Sequence, residues 1–378
     1  MTDTPRTLAS DYMHFAKLET GARYTLASSG VADCSLAELG VSMSDLELHG
    51  PNAYGYAPLT QAIATRFGVD PACVVTAGGC SFANHLALAA LVSPGDEALV
   101  EDPTYELLVS TLGYLQARIR RFERRAEDGW ALDADAVAAA LRPTTRLVVL
   151  TNLHNPTSAL ADPAEVAAVA AAAARVGAKV LVDEVYLELT FDGGEARTAF
   201  AEGGNIVVTS SLTKAYGLSG LRCGWILAPA ALAESMRRLN DLYAVAPPHI
   251  AERLSVVAFD KLGALRARAS AMVEENRASY RDILGGHPGL DQTVFDQGTT
   301  VFPRLRRGDG DALFDLLMAR FETSVVPGRF FGRPYHIRVG LGGDPAMTRL
   351  GLERLASALD GPGEAVSVSF RRLADKKI

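Results

Sequence analysis

The chain has 378 residues, 48% hydrophobic and 21% charged, which suits two domains, or one large domain with an appendage, and excludes a disordered chain. Its net charge of −7 argues against nucleic acid as the main partner, because binding phosphates needs a basic footprint. The opening M-T-D-T-P-R-T-L-A-S has no apolar core of a secretory signal, no apolar run reaches bilayer length, and Cys34, Cys73, Cys80 and Cys223 form no C-x-x-C pair, so a cytoplasmic protein with reduced thiols and no membrane contact is expected.

In chain order, residues 1–48 hold no sheet-building run and are expected to join a smaller domain. V-V-T-A at 74–77 reads as a strand, followed by a helix from Ser81 to Leu91 and a strand, A-L-V-E, at 98–101. A helical stretch from Tyr105 leads to I-R-R-F at 119–122, and R-L-V-V-L-T at 146–151 reads as a strongly buried strand. An Ala-rich helix at 164–176 then connects to K-V-L-V-D at 179–183, N-I-V-V-T at 205–209 and C-G-W-I-L at 223–227. Continuous apolar runs separated by helices indicate an α/β fold: a three-layer large domain over 49–248 with a mostly parallel sheet covered on both faces. Beyond Pro247-Pro248 a helical stretch covers 250–284. T-V-F-P-R-L, a helix at 311–321, S-V-V-P, H-I-R-V-G-L and a last helix at 345–359 follow, which suggests a smaller α+β domain over 249–362 and a peripheral tail at 363–378. The seven histidines show no clustered spacing, so no metal site is expected.

In open α/β sheets ligands bind at the carboxyl ends of strands. Gly78-Gly79-Cys80-Ser81 follows the first strand, Asp102-Pro103-Thr104-Tyr105 the second, and Asn152-Leu153-His154-Asn155-Pro156 the strand at 146–151. Asp183 ends its strand with Tyr186 just beyond, and Ser211, Thr213 and Lys214 follow 205–209. This is an anion cradle, an aromatic ring, an amide, a carboxylate, a phenol and an amine. The inventory suits a flat, phosphorylated, cationic heteroaromatic cofactor that forms an imine. Simpler readings exist: Lys214 as a surface lysine, Tyr105 as packing, Asp183 as a turn cap, Arg338 in a structural ion pair and Cys80 as a small packing residue. A carboxylate that ends a buried strand is costly without a partner, which favours the functional reading of Asp183. Gly340-Leu341-Gly342-Gly343 lacks the context of a dinucleotide loop, and Gly217-Leu218-Ser219-Gly220 lacks the spacing of a nucleophile elbow.

The segment from Ser211 to Trp225 reads S-x-T-K-x-x-G-x-x-G-x-R-x-G-W. With D-P-T-Y at 102–105, N-P-T at 155–157, D-E-V-Y at 183–186, P-G-R-F at 327–330 and H-I-R-V at 336–339 in that order, the chain from Tyr54 to Leu359 resembles pyridoxal-phosphate enzymes of fold type I, in the class I/II, aspartate aminotransferase-like superfamily. The resemblance implies that pyridoxal 5′-phosphate is bound as a Schiff base on Lys214, that Asp183 holds the pyridinium, and that Tyr186 and Asn155 hydrogen-bond the ring's phenolic oxygen. It implies Tyr105 stacked on the ring, Gly79, Cys80 (through its backbone N–H), Ser211 and Arg222 on the phosphate, Arg338 on the substrate α-carboxylate and Gly30 beside it. The family's tyrosine that reaches a partner subunit's phosphate falls in H-G-P-N-A-Y-G-Y, where His49, Tyr54 and Tyr56 all qualify and Tyr54 is favoured. Ser158 stands where the family usually has glycine. The implied activity is amino transfer from an amino acid to a keto acid, in a homodimer with the site at the interface. A lyase, decarboxylase or cyclase can share every residue named, and a non-catalytic, cofactor-dependent regulator is the rival from another class. For an acidic substrate, Arg23 and Arg329 are candidates for a second carboxylate contact.

Overall fold

The computed structural model describes residues 6–190 and 197–361; the expected tail at 363–378 lies outside them. Seven strands build the central sheet: β1 (Val74–Gly78), β2 (Glu97–Asp102), β3 (Arg118–Glu123), β4 (Thr145–Thr151), β5 (Lys179–Asp183), β6 (Ile206–Ser211) and β7 (Cys223–Leu227). Their spatial order is β1-β7-β6-β5-β4-β2-β3. Neighbours run parallel except at β7, which is antiparallel to both β1 and β6.

Two layers of helix cover this sheet, and the strands divide their side chains between them. Val148 and Leu150 of β4 join a core with Val166 and Val169 of the helix Pro163–Arg175. Leu147 and Val149 pack on the sheet's opposite face with Leu86 and Leu88 of the helix Cys80–Leu91. Burial on both faces is why β4 and β5 read as unbroken apolar runs rather than alternating ones.

A second core gathers Leu313 and Phe314 of the helix Gly310–Phe321, Leu352 of the helix Pro345–Asp360, and Val339 of a small antiparallel sheet. That sheet joins Thr300–Val301, Ile337–Gly340 and Val326–Pro327. Tyr12, Phe15, Leu26 and Ala27 of the N-terminal segment bury here, whereas Val31 and Leu39 bury in the first core. Sequence reading had not marked the helix Asp11–Leu18, which is capped by the Ser10 hydroxyl accepting from the Met13 N–H. Nor had it marked the short strand Tyr24–Thr25, which pairs in parallel with Thr323–Ser324.

Three further expectations differ in detail. The helical stretch at 250–284 is two helices, His249–Phe259 and Leu262–Leu284, broken at Asp260-Lys261. Ala258, Leu265, Ala269 and Val273 bury in the first core, and only Tyr280 and Leu284 reach the second. The buried side chains therefore change core inside the long helix, not at Pro247-Pro248; prolines punctuate the backbone, but the apolar face decides which core a helix joins. T-V-F-P-R-L is two short strands, Thr300–Val301 and Arg304–Leu305, because Pro303 has no N–H for a continuous ladder.

Candidate active site

A cavity of about 840 Å³ opens at the carboxyl ends of β4, β5 and β6 and the N-terminus of the helix Cys80–Leu91. Its other wall is the N-terminal segment, through Tyr12, Met13, Ala27 and Ser29. Cys80, Tyr105, Asn155, Asp183, Tyr186, Ser211, Lys214 and Arg222 all line it. Eight residues drawn from several strand ends thus converge on one space.

Lys214 lies in the short helix Thr213–Tyr216 directly after β6, with its side chain partly open to the cavity. Desolvation, together with the guanidinium groups of Arg338 and Arg222, pulls its amine from the ordinary value down to about 8. Gly30 lies against it, since a Cβ on Gly30 would meet the Lys214 Cδ at 3.2 Å. The Val31 N–H donates to the Lys214 carbonyl at 2.9 Å, so the backbone carrying the lysine is tied to the N-terminal wall.

Asp183 is buried, and burial raises its carboxyl above the usual range. Three donors oppose that rise: the Asn84 amide at 2.7 Å, the Val185 N–H at 3.1 Å and the Cys80 thiol at 3.3 Å. The Thr209 hydroxyl donates to the Asn84 carbonyl oxygen at 2.5 Å, which fixes the amide's orientation toward Asp183. The Cys80 thiol, pushed up by burial and by Asp183, stays protonated and donates. Its side chain therefore serves the carboxylate, a contact that the expected backbone role left out.

Arg338 does not itself line the cavity, but it bonds to two residues that do, Asn155 and Tyr12. The Arg338 Nη1 donates to the Asn155 Oδ1 at 3.2 Å, and Nη2 donates to the Tyr12 hydroxyl at 2.8 Å and to the Ala27 carbonyl at 3.2 Å. Arg338 is only 1% exposed, its Nε has no acceptor, and among the described residues no carboxylate forms an ion pair with it. The rings of Phe331 and Tyr12 lie 5.3 and 5.6 Å from its guanidinium carbon. Tyr186 is buried, which raises its phenol, and it donates to the Ser29 hydroxyl at 2.7 Å. Tyr105 stands edge-on to Tyr12, with ring centres 5.7 Å apart.

At the cavity's other end, Gly79 has φ +87, a region that favours glycine, and a Cβ there would meet the Arg222 Nη2 at 2.3 Å. The Arg222 guanidinium lies across the helix N-terminus and donates to the Gly78 carbonyl at 3.3 Å. Ser211 is buried beside them and accepts from the Thr213 N–H at 3.3 Å. Free N–H groups, a hydroxyl and a guanidinium at one helix start make an anion site.

Some expected residues stay outside. Tyr54 is exposed and contacts Asp241 at 3.3 Å, so within one chain it does not reach the cavity. Arg23 lies at the surface facing Glu322, and Arg329 pairs with Asp311 and lies 3.9 Å from the Phe330 ring. Neither lines the cavity, because each has a local partner that holds it elsewhere. Ser158 has φ +69, a backbone conformation that favours glycine; its hydroxyl donates to the Thr300 carbonyl at 2.9 Å. Sequence reasoning missed Tyr12, Ser29, Asn84 and Thr209, and also the fully buried Glu101–Arg124 pair at 3.0 Å. Glu101 accepts from the Thr151 N–H at 2.7 Å, and the Thr151 hydroxyl accepts from the Asn155 N–H at 3.0 Å, so this pair braces the loop carrying Asn155.

Residues 33–355 match the aminotransferase class I and II family. The chain belongs to that family. It is an enzyme of the transferase class, built on the aspartate aminotransferase-like fold type I and using pyridoxal 5′-phosphate. Among its relatives, capreomycidine synthase from Streptomyces vinaceus is 31% identical over 331 residues, covering 84% of this chain and 85% of that protein. Arginine–pyruvate transaminase AruH from Pseudomonas aeruginosa is 30% identical over 348 residues, covering 87% and 88%. In three dimensions the fold matches a pyridoxal-phosphate-dependent aminotransferase from Streptococcus suis with a TM-score of 0.86 at 24% identity, over 95% of this chain and 98% of that one. The pyridoxal-phosphate-dependent cyclase OrfR gives 0.85 at 26% identity, over 95% and 99%. The donor set fits the cofactor chemically: a desolvated amine, a buried carboxylate held by three donors, and an anion cradle at the far end of the same cavity.

Proposed function

We propose that this family member transfers the amino group of an amino acid bearing a free α-carboxylate to a keto acid. The observation that carries the reading is Arg338, a buried guanidinium with no carboxylate partner among the described residues and an orphaned Nε. A buried charge without a counter-ion is costly, and an incoming carboxylate relieves that cost. Arg338 lies behind the cavity wall, bonded to Asn155 and Tyr12, which both line it, and contributes to the field that depresses the Lys214 amine.

In this reading Lys214 holds the cofactor through its amine, Asp183 pairs with the protonated ring nitrogen, and Asn155 and Tyr186 contact the ring's phenolic oxygen. Tyr105 lies against the ring. The Cys80 N–H, Ser211 and Arg222 take the phosphate, Gly79 lets the anion approach the helix start, and Gly30 leaves room beside the substrate. The bound cofactor supplies an electron-poor ring that makes the bonds at the substrate's Cα labile. Asn84 and Cys80 support the charged form of Asp183, which that ring requires. Lys214, with a value near 8, is neutral in roughly one molecule in ten at pH 7, and the neutral amine can take a proton at Cα and return it.

Capreomycidine synthase among the relatives and the cyclase among the similar structures favour a second reading, ring closure on an amino acid by the same residues. We also propose a homodimer with the site at its interface. Met43, Leu48, Tyr54, Leu242, Tyr243 and Val245 are exposed, and the Asn52 amide donates to the Pro247 carbonyl at 2.7 Å, so their two segments lie side by side. Tyr54 in this patch is the candidate for the partner's phosphate. Four free cysteines fit a reducing compartment, the cytoplasm. No described helix is long and apolar enough to cross a membrane. The test is a panel of amino acids with a keto-acid acceptor, read by mass spectrometry. Aminated acceptor in step with new keto acid is the expected result. Substrate converted to a cyclic or eliminated product, with the acceptor unchanged, would refute amino transfer and favour the second reading.

A further inference from the structure

Arg338 has few N–H groups left for a substrate. Both on Nη2 are taken, by the Tyr12 hydroxyl at 2.8 Å and the Ala27 carbonyl at 3.2 Å. One on Nη1 goes to Asn155 at 3.2 Å, which leaves the other Nη1 hydrogen and the orphaned Nε hydrogen. Bidentate grips on a carboxylate use paired N–H groups along one edge of the guanidinium, and both such edges include Nη2. Neither edge is free while Tyr12 and Ala27 stay in place.

A second donor stands beside this guanidinium. Tyr12 accepts from Arg338, and its own O–H has no acceptor among the described residues. Its side chain lines the cavity, is only 6% exposed, and is held edge-on by Tyr105 at 5.7 Å and Phe330 at 5.5 Å. The ring is fixed in place, and the hydroxyl hydrogen is the part of it still to be satisfied.

We propose that Tyr12 is a second carboxylate-binding residue. It keeps its bond from Arg338 and donates its O–H to one oxygen of the substrate α-carboxylate, while a remaining N–H of Arg338 takes the other. The inference rests on the amino-acid reading above and narrows it: the N-terminal helix Asp11–Leu18 contributes directly to substrate recognition, and the site selects α-carboxylates over plain amines.

The test compares wild-type holoenzyme with Tyr12→Phe, which keeps the ring and its packing. For an amino acid that the wild type turns over, KM is expected to rise about tenfold, with kcat changed less than about twofold, as for the loss of one hydrogen bond to a charged group. For the matching amine without a carboxylate, KM should not change. An unchanged KM for the acid overturns the proposal. A lower KM overturns it too, since the phenol would then only hold the place of a carboxylate oxygen. Should the phenylalanine variant fail to fold, Tyr12→Met carries the same expectations. If the wild type turns over no amino acid, the amino-acid reading fails, and the binding claim is judged separately by hexanoate. The concentration of hexanoate needed to raise the thermal midpoint should be about tenfold higher in Tyr12→Phe than in the wild type. Equal concentrations overturn the proposal.

Discussion

Replacing Lys214 by methionine in the cofactor-free protein tests the claim that the site destabilises the ammonium. The folded value is about 8 against 10.5 for the free side chain, so between those pH values the unfolded chain binds more protons than the native one. Stability of the wild type therefore rises with pH across that window, and below it the lysine is a burden. Integrating the two titrations gives a penalty of about 3 kcal/mol at pH 7 and about 1 kcal/mol at pH 10. The Lys214→Met variant has no such contribution, so its advantage over the wild type should shrink by about 2.5 kcal/mol at most between the two pH values. Solvent in the open cavity screens the charge, and about half that figure is the working expectation. Urea unfolding of both stripped proteins at pH 7 and pH 10 measures the difference, in which packing changes and the titrating groups remote from Lys214 cancel. An advantage of the variant that is independent of pH would refute the depressed amine.

Gly79→Ala should push the Arg222 guanidinium off the helix start, since the added carbon would lie 2.3 Å from its Nη2; affinity for pyridoxal 5′-phosphate should fall at least about tenfold in a binding titration, while affinity for unphosphorylated pyridoxal changes little. Glu101→Gln leaves the buried Arg124 charge without its partner and should cost about 3 kcal/mol or more, seen as a lower urea midpoint. Ser158→Ala keeps the left-handed backbone and loses the bond to Thr300, so it should destabilise by about 1 kcal/mol, whereas Ser158→Gly, which removes strain and bond together, should be close to neutral in the same assay.

The large sheet was legible because buried parallel strands are written as continuous apolar runs, and the polar residues that close them point at the site. Asp183, Asn155, Ser211 and Lys214 were found that way, and all four line the cavity. The reversal of β7 was not legible, since C-G-W-I-L reads alike in either direction. Tyr12 and Asn84 were missed for a different reason. Each lies on a helix, and nothing local tells which of its faces meets a strand end distant in sequence. Arg23 and Arg329 show the converse: the resemblance asked for a second arginine without a spacing to choose it by, and Glu322 and Asp311 claim both candidates at the surface. The change of core within the helix Leu262–Leu284 was equally hidden, because its apolar stripe carries no mark of which partner it meets.

The turned strand β7 has a consequence for how this enzyme can vary. Because β6 ends and β7 begins at the same rim of the sheet, the loop from Leu212 to Arg222 is clamped at both ends within a single rigid body. The Lys214 amine and the Arg222 guanidinium therefore keep their spacing whatever the rest of the chain does. Tyr12 and Ala27, which line the cavity from the N-terminal side, belong to the other core. Substitutions on that side leave the loop that carries Lys214 and Arg222 in place, which is a mechanical reason for the scaffold to tolerate change there.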